Sequence, residues 1–124
     1  MSAIRGILLD IDGVLHISMK PIAGAAETLH ILEQQGYRIC FVSNTTTYSR
    51  ASLVQRLHAI GLPLPEERVI TAPVATANYI RQHYSGKRCW LLTKGNTTED
   101  FAGIQLVESD ADVVVIARLV TNRR

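Results

Sequence analysis

Short apolar runs recur along this chain, and segments of helical period separate them. The runs read as strands over Arg5 to Asp10, Arg38 to Val42, Arg68 to Thr71, Cys89 to Thr93 and Asp112 to Ala117. After the first, Ile22, Ala25, Leu29 and Leu32 fall at helical spacing with Gly36 placed as a C-terminal cap, which predicts a helix from Gly24 to Gln35. A second helix, Ser49 to Ile60, sets Leu53, Leu57 and Ile60 apart from Gln55, Arg56 and His58. Pro73 suits a first helical residue, and the helix it opens, to Tyr84, turns Ala77, Ile80 and Tyr84 inward. A short helix is predicted at Thr98 to Ala102, and Gly13 to Ala23 reads as a loop. Parallel strands need crossover connections, and helices supply them here. The order therefore dictates a parallel sheet with helices on both faces. The run from Arg38 to Val42 is apolar enough to be buried on both sides.

The fold class is thus α/β, a Rossmann-like parallel sheet. The 124 residues suit a single domain. With 47% hydrophobic and 19% charged residues, the composition is globular. The net charge is only +2, and no basic run is interleaved with aromatics, so nucleic acid is not an expected partner. The longest apolar run, Val113 to Ala117, is far short of a membrane span. Met1 to Arg5 lead straight into a strand without a signal-peptide core. Cys40 and Cys89 each lie in a strand-like run, which points to reduced, buried thiols and a cytoplasmic location. Trp90 reads as a core residue.

The chemistry concentrates where the first strand ends, at Asp10-Ile11-Asp12-Gly13-Val14-Leu15. Residues i and i+2 of a strand share a side, so Asp10 and Asp12 leave it with both carboxylates available to one site. Two neighbouring carboxylates repel, and a hard cation held by oxygen ligands relieves that. Mg2+ is the natural ion, since it binds through one or two carboxylates together with substrate phosphate. A calcium loop would need further oxygens at alternating positions and a closing Glu; Val14, Leu15 and Ile17 follow instead. Ser43 and Asn44 end the second strand, and ligands of open α/β sheets bind outside the carboxyl ends of strands. Backbone N–H groups from Asn44 to Thr46, just ahead of the second helix, would add an anion-binding end. His16, unlike the helix-borne His30, His58 and His83, lies near the mouth of this site, where contact with substrate is the lesser expectation.

Asp10 to Leu15 resembles the first motif of the haloacid dehalogenase superfamily, and Phe41-Val42-Ser43-Asn44-Thr45-Thr46 resembles its second. The layout is similar to the 4-nitrophenylphosphatase-like and phospholysine/phosphohistidine phosphatase-like subfamily, whose members carry a large cap domain. The resemblance runs to about Ala117. It implies a Mg2+-dependent phosphatase acting on a small phosphorylated molecule. Asp10 matches the nucleophile that forms an aspartyl-phosphate. Asp12 matches the general acid and then base. The Asp10 carboxylate and the Asp12 main-chain carbonyl match the metal ligands, and Ser43 matches the phosphate ligand with Asn44 orienting that group or the substrate.

The family's third motif, a lysine usually followed by proline, and its fourth, an acidic pair closing a later strand, have no counterpart. Lys20, Lys94, Asp110 and Asp112 read as surface residues. The expected domain is a partial core over residues 1–117, followed by an unrelated basic tail over 118–124 that contains Arg118, Arg123 and Arg124. The cap would begin at this point, and a truncation or a frame change near residue 118 would explain both observations. Without the motif-four strand beside it, the first strand leaves an open edge through which copies of the chain would associate. The alternative to a phosphatase is a non-catalytic remnant that keeps the fold and binds phosphate or a partner subunit.

Overall fold

The computed structural model describes residues 3–118; of the expected tail, 119–124 lie outside the described residues. The chain divides into two compact units, one made of the residues up to 43 together with 51–70, the other of 44–50 with those from 71 onward. No helix among the described residues is long and apolar enough to cross a membrane.

In the first unit β1 (Gly6–Asp10) leads to a two-stranded hairpin, β2 (His16–Ile17) and β3 (Lys20–Pro21), where a loop is predicted. Then come α1 (Ala25–Gln34), β4 (Arg38–Ser43), α2 (Arg50–Ala59) and β5 (Val69–Thr71), the terminal residues Arg50 and Thr71 of the last two belonging to the second unit. The sheet order is β1-β4-β5. β1 and β4 are parallel, with Leu9 against Phe41 and Asp10 against Val42. Gly36 ends α1 as the sequence predicts: its φ is +87°, its N–H reaches the Glu33 carbonyl, and the Tyr37 N–H reaches that of Leu32. A groove of about 280 Å³ runs along α1, lined by its stripe of Ala25, Leu29 and Leu32 with Leu9, Leu15 and Ile22.

The core of this unit contains Ile39, Phe41, Leu53, Val54, Leu57, Leu62, Leu64 and Val69. Here β4 departs from its predicted burial on both faces. Ile39, Phe41 and Ser43 are buried, whereas Cys40 is half-buried and Val42 is exposed. Leu8, on the same face as Cys40, is 74% exposed. An apolar run qualifies a strand for two-sided burial, but only packing against that second face completes it.

In the second unit α3 (Ala72–His83) precedes β6 (Arg88–Leu92), β7 (Gln105–Leu106) and β8 (Val113–Ile116), with a 3₁₀ turn at Thr98–Phe101. The three strands form a parallel sheet of order β7-β6-β8. Ala77, Ile80, Cys89 and Phe101 make its core, with Leu91, Ile104, Val113 and Val115 packed against them. The Thr71 hydroxyl accepts the Val74 N–H and caps α3, and Pro73 sits in the first turn. Tyr84 faces outward, contrary to its predicted inward position, because the helix has ended before it. Trp90 is half-buried and not a core residue. Gly95 passes so close to another segment that a Cβ there would overlap the Thr46 carbonyl oxygen, and the neighbouring Asn96 N–H donates to the Thr47 carbonyl at 2.8 Å.

Candidate active site

Asp10 is the last residue of β1, and its Oδ1 accepts the N–H of Ile11 at 2.8 Å. Strand-like alternation continues beyond the strand: Asp10 is exposed, Ile11 is 1% exposed and Asp12 is exposed again. Both carboxylates therefore leave the chain on the open side while Ile11 anchors the backbone between them. The turn behind them is fixed by main-chain bonds. The Leu15 N–H donates to the Ile11 carbonyl at 2.9 Å, and Leu15 is buried. Gly13 adopts a φ of +81°, which a side chain would oppose, and its N–H donates to the His16 carbonyl at 2.8 Å.

His16 is 4% exposed, so it is neither a solvated histidine nor a group projecting into the mouth of the site. Its Nδ1 accepts the Met19 N–H at 3.1 Å, and its Nε2 lies 3.1 Å from Asp12 Oδ1. That approach is oblique, at ion-pair distance but outside hydrogen-bond geometry, and Nε2 is itself buried. The ring is held by the β2–β3 hairpin, whose two-residue turn places Ser18 at φ +49° and Met19 at φ +63°. Sequence reasoning missed this hairpin because the turn lacks the Asn-Gly or Asp-Gly pair that usually marks one.

Ser43 also ends its strand, so it shares the carboxyl edge of the sheet with Asp10. It does not share the face. Asp10 stands against Val42, and Ser43 follows by one residue on the buried side, 3% exposed. Asn44 is exposed and opens the second unit. Residues 44–46 lie ahead of α2, which starts at Arg50. Its first N–H already donates to both carboxylate oxygens of Asp100, at 3.1 and 3.2 Å. An internal carboxylate takes the place that a phosphate would favour.

Lys20 and Lys94 are exposed, as read from the sequence. Asp110 and Asp112 pair with Arg88 at 2.7 and 3.2 Å, at the amino ends of β6 and β8. The Arg88 hydrogen bonds hold the Asp112 carboxyl down to about 2, and they raise the guanidinium in turn. Among the described residues no group of three or more His, Cys, Asp or Glu side chains converges. The donor set at the end of β1 is thus two carboxylates. That suits an ion such as Mg2+, which takes few protein ligands and completes its shell with water and phosphate, and it does not suit an all-protein calcium cage.

A family model of haloacid dehalogenase-like hydrolases matches residues 7–106. The chain belongs to this family. It is 32% identical to haloacid dehalogenase-like hydrolase domain-containing protein 2 of Rattus norvegicus over 92% of its own length and 43% of the rat protein's. Sugar-phosphatase AraL of Bacillus subtilis is 29% identical, with 90% of this chain and 43% of AraL covered. Among solved structures, p-nitrophenyl phosphatase from Archaeoglobus fulgidus superposes with a TM-score of 0.78 at 33% identity, covering 89% of this chain and 43% of that one. The chain thus spans less than half the length of these relatives. The matched region includes Asp10, Asp12, Ser43 and Asn44.

Proposed function

We propose that this chain carries the nucleophile half of a Mg2+-dependent phosphatase site, with a small phosphorylated molecule as substrate and the cytoplasm as its location. The observation that carries the reading is the pair of exposed carboxylates at the end of β1, separated by the buried Ile11, in a chain of this hydrolase family. Relatives named as a sugar-phosphatase and a p-nitrophenyl phosphatase support the choice of phosphate esters.

In this mechanism a carboxylate oxygen of Asp10 attacks phosphorus while the bond to the leaving oxygen breaks, which leaves an aspartyl-phosphate. Asp12 gives its proton to the departing oxygen and then removes one from the water that hydrolyses the acyl phosphate. Ser43 and Asn44 enter as phosphate ligands on the motif alone, Ser43 lying on the same sheet edge as Asp10 but on the buried face. The Asp10 carboxylate and the Asp12 main-chain carbonyl would hold Mg2+, which would supply positive charge to offset that of the phosphate and the nucleophile.

Trapping tests this directly. Incubated with acetyl phosphate and Mg2+ and then reduced with borohydride, the full chain should carry the reduction product at Asp10 by peptide mass spectrometry. Asp10→Asn should carry none. Labelling at another residue, or labelling that persists in Asp10→Asn, would overturn the assignment. Steady turnover of 4-nitrophenyl phosphate should be slight, because no lysine and no second acidic pair belong to the site described here.

A second reading, a non-catalytic remnant that binds phosphate or a partner subunit, is favoured by one observation: Ser43 lies buried on the face opposite Asp10. Binding of inorganic phosphate with no label at Asp10 would select it.

A further inference from the structure

We propose that His16 is a positioning residue for Asp12, fixing the carboxylate that the phosphatase reading above uses as acid and base. A histidine has two ring nitrogens, and the partner of one decides what the other can offer. Here Nδ1 accepts the Met19 N–H at 3.1 Å, so the neutral ring carries its proton on Nε2. Nε2 lies 3.1 Å from Asp12 Oδ1 and is buried, which makes the Asp12 carboxylate the group this proton serves. A small rotation of the exposed carboxylate would bring the oblique contact into line.

The arrangement is built at a cost. Ser18 and Met19 both hold left-handed backbone without being glycine, a conformation that disfavours an L-residue by about 1–2 kcal/mol. That turn aims the Met19 N–H at the ring. The result is an order of dependence in which a strained hairpin fixes a buried imidazole and the imidazole fixes one oxygen of a carboxylate whose side chain is otherwise 63% exposed. An exposed aspartate on its own samples several rotamers, and a general acid must be held within reach of the oxygen it protonates.

The test uses NMR on the full chain and therefore does not depend on turnover. Nitrogen shifts of His16 should show Nδ1 as acceptor and Nε2 protonated. Couplings of the Asp12 β-protons should report one dominant rotamer in the wild type and averaging in His16→Phe. His16→Gln, which keeps an N–H donor near the Nε2 position, should restore the single rotamer. Averaged couplings already in the wild type, an Nδ1-protonated ring, or unchanged couplings in His16→Phe would each overturn the proposal. Wherever turnover is measurable, His16→Phe should lose about tenfold more in kcat on an alkyl phosphate than on 4-nitrophenyl phosphate, whose leaving group needs little protonation; such a loss lies within the range a general acid supplies. Failure to label Asp10 in the trapping experiment would remove the phosphatase reading and leave the coupling result standing, so the two failures are distinguishable.

Discussion

At the scale of single residues, charge pairing and burial set behaviour that can be measured. Arg88 holds the Asp112 carboxyl down to about 2, whereas an unfolded aspartate titrates near about 3.9. Between those values the unfolded chain binds the extra proton. The stabilising contribution is therefore complete above about pH 4 and is lost as pH falls through about 2. Asp112→Asn should flatten the acid limb of stability between about pH 4 and 2 and change neutral stability only slightly, the pair being exposed. Urea midpoints measured against pH check this; identical acid slopes in the two proteins would refute it. Cys89 shows the complementary effect, since burial pushes its thiol up and keeps it protonated, in keeping with the reduced, buried thiol read from sequence.

At the scale of elements, the β2–β3 hairpin is where local preference and tertiary demand conflict. Its Ser18-Met19 turn occupies left-handed backbone that Asn-Gly would adopt with less strain. Replacing the pair (Ser18→Asn with Met19→Gly) keeps the residue-19 N–H that His16 accepts. It should raise stability by about 1 kcal/mol, a gain visible as a higher thermal midpoint. An unchanged or lower midpoint would mean that the native side chains compensate for their strain. The helices posed no such conflict. Apolar spacing, Gly36 and Pro73 placed α1 and α3 to within a residue or two, because periodicity and caps are local. The boundaries of the five predicted strands were equally legible, but β2, β3 and β7 were not read as strands, and the side each strand buries was not legible either.

At the scale of the molecule, β1 is the edge of its sheet among the described residues, and Leu8 on it is 74% exposed. An edge of this kind offers unpaired backbone groups next to apolar surface, a ready template for another chain. Purified protein should associate with rising concentration in sedimentation velocity, and Leu8→Lys should return it to the monomer. At an exposed position the substitution should leave the unfolding midpoint within about 0.5 kcal/mol of wild type. A wild-type chain that stays monomeric across the whole range would rule out association through this edge.

The sequence by itself determined the α/β alternation, the helix ends and the position of Asp10 and Asp12 where a strand runs out, because each of these follows from near neighbours in the chain. Tertiary structure alone decided that His16 is buried against Asp12, that Ser43 takes the other face from Asp10, that Asp100 closes the start of α2, and that only glycine fits at 95. Each of those depends on a backbone conformation or a partner that residue type does not specify: a left-handed turn without glycine, a one-residue offset between strands, or a contact fifty residues distant in sequence. Periodicity states which residues can be buried; only the packed chain states what lies against them.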